Sequence, residues 1–193
     1  MDTERVFLAL LHWPVYDRNG NVITTALTTI DIHDLGRLCK TYGLGGVYIV
    51  TPLSSQIELG ERMVKYWREG PGASFNPLRK MALDNIKFSP TLEDVLSDLQ
   101  AKFKERPKTI ATSAKRWPKI IGYRALKEEM KKGGLFLLIF GTGWGLTREL
   151  IMSCDMVLEP IEGKGYNHLS VRTAAAIIID RLFGRCEDER NDS

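Results

Sequence analysis

Short apolar runs alternate along the chain with longer stretches whose apolar residues recur at helical spacing. Val6–Leu11 is wholly apolar, too short for a helix and suited to a strand buried on both faces. The loop from His12 to Thr25 carries Pro14 and the hairpin dipeptide Asn19-Gly20, which makes Asn21–Leu27 a short extended piece. Thr28 to Asp31 offer N-caps for a helix through Tyr42 that ends before Gly43. A second buried strand, Val47–Val50, is closed by Thr51-Pro52. Ser54 or Ser55 then caps a helix that ends at Gly70 and puts Ile57, Met63, Val64 and Trp67 on one face. Pro71-Gly72-Ala73 is a break. Asn76 caps a helix with Pro77 in its first turn, carrying Leu78, Met81 and Ala82.

Ile86–Ser89 is a short strand. Thr91 with Asp94 three residues on resembles a capping box, and the helix it opens runs to about Arg106, where Pro107 stops it. Lys108–Thr112 is a strand, followed by a Thr/Ser loop and a helix, Tyr123–Lys132, ending at Gly133-Gly134. The last third organises the rest. A strand, Leu135–Phe140, enters a turn with Gly141, Gly143 and Gly145. A helix (Leu146–Ser153), a strand (Met156–Glu159) and a loop with Pro160, Gly163 and Gly165 follow, then an apolar helix, Ser170–Phe183. The charged tail Cys186–Ser193 is expected to fray. Strands alternate with helices, so the predicted class is α/β, a mainly parallel sheet flanked by helices. Two glycine-bearing loops fall at the C-terminal ends of strands, where such sheets bind ligands.

Composition narrows this little. At 193 residues, with 44% hydrophobic and 26% charged positions, one domain spanning 1–193 is expected. A net charge of +3 permits nucleic-acid binding without requiring it. Cys39, Cys154 and Cys186 are odd in number and far apart, which suggests neither a disulfide framework nor a zinc site. The first residues are acidic and the apolar run after them is short, so neither a signal peptide nor a membrane span is expected and the location predicted is cytoplasmic.

Four stretches carry candidate chemistry. Gly141-Thr142-Gly143-Trp144-Gly145 is a defective dinucleotide fingerprint, because Leu146 stands where the third glycine belongs, although Glu159 ends the next strand where a ribose-binding acid would sit. The loop from Glu159 to Ser170 is longer and more polar than capping by Asn167 or Ser170 requires. Asp31, Asp34 and Arg37 share a helix, where capping and a surface pair are the plainer reading. Lys102 to Lys132 holds eleven Lys/Arg against three Glu, with Trp117 and Tyr123 between them, which favours nucleic-acid contact. The dispersed His12, His33 and His168 make a metal site unexpected.

Together these stretches resemble the SPOUT (alpha/beta-knot) RNA methyltransferases, in the bacterial branch of SAM-dependent RNA methyltransferases found beside or fused to a tRNA guanine methyltransferase. The run Asp31 to Gly43 resembles the SpoU-type first motif, with Arg37 and Tyr42-Gly43 at matching spacing, but Asp31 replaces the usual Asn and His33 the usual Gly. Gly141–Gly145 resembles the second motif without its acidic residue. Pro160-Ile161-x-Gly163, Asn167-His168-Leu169-Ser170-Val171 and Ala174–Ala176 resemble the third. The resemblance implies a deep C-terminal trefoil knot, S-adenosyl-L-methionine as cofactor, a homodimer, and a tRNA or rRNA acceptor, ribose 2′-O transfer being slightly favoured by Arg37. It implies catalytic roles for Arg37, Asp31, Asn167 and Ser170. The cofactor site it implies comprises Thr112, Ser113, Leu138, Phe140, Gly141, Thr142, Gly143, Leu158, Pro160, Ile161, Gly163, Asn167, Leu169 and Ser170. A nucleotide-dependent oxidoreductase using Gly141–Gly145 with Glu159 is the alternative enzyme. An inactive RNA-binding module with the knot fold is the non-catalytic one.

Overall fold

Apolar side chains alternate across the strands, so each face of the main sheet covers its own core. In strand β1 (Val6–Leu11), Val6, Leu8 and Leu10 enter one core and Phe7, Ala9 and Leu11 the other. The computed structural model describes residues 2–184. The tail expected to fray, with Cys186, lies outside the described residues.

After β1 come β2 (Val15–Tyr16) and β3 (Val22–Ile23), a small antiparallel hairpin, then α1 (Thr29–Thr41), β4 (Gly46–Val50) and α2 (Ser54–Arg68). Next are α3 (Pro71–Phe75), α4 (Pro77–Leu83), β5 (Ile86–Ser89), α5 (Leu92–Phe103) and β6 (Lys108–Ala111). The last part holds β7 (Ile120–Ile121), α6 (Tyr123–Lys131), β8 (Phe136–Gly141), α7 (Arg148–Ser153), β9 (Met156–Leu158) and α8 (Val171–Phe183). Seven strands form the sheet in the order β5-β4-β1-β8-β6-β9-β7, every pair parallel. Helices α1, α2, α4, α6 and α8 pack on one face; α5 and α7 pack on the other. Among the described residues no helix is long and apolar enough to cross a membrane.

Local chemistry sets the helix ends. Thr28, Asn76, Thr91, Thr147 and Ser170 each accept a hydrogen bond from a backbone N–H in the first turn of the helix they precede. Asp31 is therefore not the cap of α1, and Ser170, not Asn167, is the cap of α8. Several segments depart from the sequence reading. Neither Ser54 nor Ser55 caps α2, which begins at Ser54 after Leu53 with no side-chain cap, and α5 stops at Phe103 where Lys104 turns left-handed, short of Arg106. Pro71 opens the short helix α3 instead of a break, since proline is compatible with a first helical turn. Ile120–Ile121 pairs with β9 where a loop was expected. Leu146 does not begin a helix: it bridges Val15 of the hairpin, and α7 starts after Thr147.

The order of strands sets the path of the chain. β6 and β7 are consecutive in sequence, yet β9 lies between them. The connection 112–119 must therefore cross β9. The chain reaches β9 from α7 on one face and leaves it toward α8 on the other.

Leu138 and Leu158, expected beside the cofactor, have side chains 0% and 1% exposed within the core under α8. Leu138→Ala should lower the unfolding free energy by about 2–5 kcal/mol, the usual result of truncating a buried leucine. Urea unfolding would measure it, and a loss under about 1 kcal/mol would mean that the core closes around the gap.

Candidate active site

The parallel sheet gathers the carboxyl ends of β1, β6, β8 and β9 at one edge. There the loops leaving these strands enclose a cleft of about 1310 Å³. Its floor is apolar, from Phe140, Leu146, Ile151, Ile161, Ala174 and Ile178. The hairpin closes one side. The Trp144 N–H donates to Tyr16 C=O (2.8 Å) and the Tyr16 N–H to Gly145 C=O (2.9 Å), so turn and hairpin are locked by their backbones. Gly143 needs its φ of +58°, and a Cβ there would come within 2.8 Å of Tyr16 O.

The opposite wall is the loop after β9. From Ile161 to Leu169, no backbone hydrogen bond to another described residue is made. These amides and carbonyls remain available to a bound polar heterocycle, above an apolar floor. Asn167 anchors the loop by donating from Nδ2 to Ala114 C=O, 3.2 Å away.

Of the residues expected at the cofactor, Thr112, Ser113, Phe140, Gly141, Thr142, Gly143, Ile161, Asn167, Leu169 and Ser170 line this cleft. Several hydroxyls there already have work. Thr112 donates to Ile139 C=O (2.9 Å) and Thr142 to Leu11 C=O (3.0 Å). Ser113 accepts from Trp117 Nε1 (3.1 Å), and Ser170 caps α8. Pro160 and Gly163 lie outside the wall, as do Leu138 and Leu158. A Cβ on Gly163 would meet Tyr166 O at 2.2 Å, so the loop's own turn requires that glycine. At Gly141 a Cβ would meet Leu146 N at 2.7 Å. Arg37 is exposed on α1 and is also outside the wall.

Asp31 does line the cleft, in an arrangement that the sequence did not indicate. Its carboxylate is 5% exposed and accepts from Arg172 Nη1 of α8 at 2.6 Å and from the Thr28 hydroxyl. Arg172 Nε is also 3.2 Å from Asp34 Oδ2. Arg172 is thus presented to the cleft by two acids on α1, 141 residues away in sequence for Asp31. No local signal marked it. Glu159 lines the cleft too, and its Oε1 accepts from the Tyr123 N–H (2.8 Å) at the start of α6. Under the floor, His12 Nδ1 lies 2.9 Å from the Thr25 hydroxyl, and its buried Nε2 has no partner among the described residues. Burial pushes the His12 pKa down, opposed by the charge of Asp31.

The basic run 102–132 does not form one surface. Its α5 part and its α6 part sit on opposite faces of the sheet. Arg106, Lys108, Arg116 and Lys132 pair with Asp155, Glu129, Glu162 and Glu129. Trp117 packs against the core, and Tyr123 lies under the Arg181 guanidinium.

Residues 5–184 match the family of SAM-dependent RNA methyltransferases. The chain belongs to this family. A protein of Aquifex aeolicus, uncharacterised, is 40% identical over 187 residues, covering 96% of this chain and 91% of its own. A tRNA (guanine-N(1)-)-methyltransferase of Oleidesulfovibrio alaskensis is 42% identical over 180 residues, 93% of this chain but only 42% of that longer protein. The fold is shared with a probable methylase family protein from Haemophilus influenzae (TM-score 0.65, 17% identity, covering 98% of this chain and 70% of that one). It is shared also with the Aquifex aeolicus TrmH/SpoU tRNA modifying enzyme (TM-score 0.56, 14% identity, 97% and 78%). The chain is therefore an RNA methyltransferase that uses S-adenosylmethionine and shares its fold with the TrmH/SpoU enzyme, and the oxidoreductase alternative falls. The cleft fits such a donor: an apolar floor for adenine beneath unbonded loop amides, with backbone and not side chains at Gly141 and Gly143.

Removing Arg172 leaves a buried carboxylate without its cation. In a double-mutant cycle of Asp31→Ala and Arg172→Ala, the coupling energy should be about 1–3 kcal/mol by chemical unfolding; additive effects would mean that the pair contributes nothing. A second check uses pH. His12 has a folded pKa below its ordinary 6.5, so below that value the unfolded chain takes up more protons and stability falls with pH. His12→Gln should make that decline shallower; an unchanged slope would show that other groups cause it.

Proposed function

We propose that this methyltransferase modifies a nucleobase of a tRNA, with guanine N1 as the first candidate. The Arg172–Asp31 pair at the wall of the donor cleft carries this reading. The name of the Oleidesulfovibrio alaskensis relative supports it. Ribose transfer was favoured through Arg37, which is not in the wall of its own cleft, so that support is weakened. The chain spans 42% of that relative, so the guanine target belongs to this proposal alone, and we infer that this chain works beside a tRNA guanine methyltransferase in the cytoplasm.

The donor supplies a methyl group on a positively charged sulfur. Phe140, Ile161 and Leu169 would flank its adenine, and the amides of 161–169 would hydrogen-bond it. Alignment of donor and acceptor is the main task left to the protein. When guanine N1 loses its proton to solvent water, negative charge spreads to O6. The Arg172 guanidinium, 30% exposed toward the cleft and fixed by Asp31 and Asp34, stabilises that charge. The fixed orientation matters because a donor aimed before reaction needs no reorganisation.

We read the chain as one methyltransferase domain. We read the passage of the chain leaving β9 beneath the 112–119 connection as the trefoil knot, and the functional unit as a homodimer. In the dimer the exposed Arg37 would enter the partner's cleft, where it holds a phosphate of the acceptor.

Calorimetry should give micromolar binding of S-adenosylhomocysteine and none of oxidised nicotinamide dinucleotide. Nucleoside analysis of tRNA treated with enzyme and donor should then yield 1-methylguanosine; a 2′-O-methylnucleoside in its place would return the reading to ribose. Arg37→Ala and Arg172→Ala should each abolish transfer. Mixed in equal amounts they should restore roughly a quarter of the wild-type rate, because half the dimers are hybrid and each hybrid keeps one intact site. No recovery would mean that Arg37 does not act across an interface.

A further inference from the structure

The cleft carries an aromatic rim that the methyl donor does not require. Trp144, Tyr166 and His168 all line it; Trp144 is 59% exposed and Tyr166 73%. His168 stands between the other two, its ring centroid 5.5 Å from that of Trp144 at 67° and 5.8 Å from that of Tyr166 at 58°. Exposed aromatics gathered at one place mark a binding surface. Trp144 is also held rigidly. Its amide is bonded to Tyr16 and it sits between Gly143 (φ +58°) and Gly145 (φ +100°). The backbone is fixed and the indole projects into solvent, so little ordering remains to be done when a planar partner arrives.

The charge around the rim says what that partner is. Arg18, Lys115 and Arg148 line the cleft, and among the described residues none has an ion pair. The acids beside them are engaged. Asp17 accepts from Asn19 and Asn21, Asp31 from Arg172, and Glu159 from Tyr123. Exposed aromatic faces amid unpaired cations suit unpaired bases on a phosphate backbone. A paired base inside a duplex presents no face to them.

We propose that Trp144, Tyr166 and His168 form a stacking platform for an unpaired base of the RNA substrate, with Lys115 and Arg148 on its phosphates. The platform rests on the RNA methyltransferase reading and adds that the acceptor segment is single-stranded or opened on binding.

The test measures binding of the 193-residue chain to a short unpaired oligoribonucleotide and to the same strand annealed to its complement. The wild type should prefer the unpaired strand. Trp144→Ala should weaken that binding roughly five- to a hundred-fold, Trp144→Phe should restore most of it, and Tyr166→Ala should reproduce part of the loss. Lys115→Gln and Arg148→Gln should weaken both RNA forms and lower the salt dependence by about one counterion each. S-adenosylhomocysteine binding by Trp144→Ala should equal that of the wild type, which separates this proposal from the donor site. Equal affinity of wild type and Trp144→Ala for the unpaired strand would overturn it. So would a preference for the duplex, or no RNA binding by a wild type that still takes the donor analogue, an outcome that would make the rim a protein-binding surface. Failure of the wild type to bind the analogue at all would count against the donor cleft instead.

Discussion

A sheet whose strands all run in one direction has two chemically different edges, and here all seven strands share a direction. Both faces are buried, so polar chemistry has nowhere to gather except at the strand ends. At the carboxyl edge, helices begin and loops leave, and side chains from distant parts of the chain meet. The cleft is a consequence of that constraint. Phe140 and Gly141 end β8, Thr112 follows β6, and Glu159 follows β9; the same geometry brings all of them together. The apolar interior beneath makes their positions stiff, since close-packed residues such as Leu138 and Leu158 leave no room for the strands to shift.

Within this frame the Asp31–Arg172 pair connects the first helix after β1 to the last helix of the described chain. Its carboxylate is almost wholly buried while its guanidinium reaches the cleft. Such a pair adds little stability by itself, because both groups lose solvation. Its value lies in direction: an arginine gripped by two carboxylates cannot swing freely, so its charge is aimed. Asp31 thus touches Arg172 and orients it.

Much of this was legible in the sequence, for physical reasons that can be named. Runs such as Val6–Leu11 identified strands because a stretch buried on both faces tolerates little else. Thr28, Asn76, Thr91 and Ser170 identified helix starts because capping is local chemistry. The cleft loops were legible through Gly141, Gly143 and the unusual length of 159–170. What stayed hidden was non-local. The pairing of Ile120–Ile121 depends on β9, and the fate of Leu146 depends on Val15 in the hairpin. Arg172 looked like any residue of a helix until α1 was beside it. The basic run is not one surface because sequence proximity is not surface proximity: a sheet separates α5 from α6, and only part of the run, such as Lys115, reaches the cleft. Trp117 and Tyr123 were drawn into packing, while Trp144, flanked by glycines that looked like cofactor machinery, was left in the open.

The hairpin bonded to the glycine turn has a consequence for synthesis on the ribosome. Tyr16 is made early, and its partners Trp144 and Gly145 more than a hundred residues later. Arg172 comes later still. The strands β1, β4 and β5 can associate while translation continues, but the mouth of the cleft has no opposing wall until the loop after β9 emerges. A nascent chain that has not yet made α8 thus has an open cleft without Arg172.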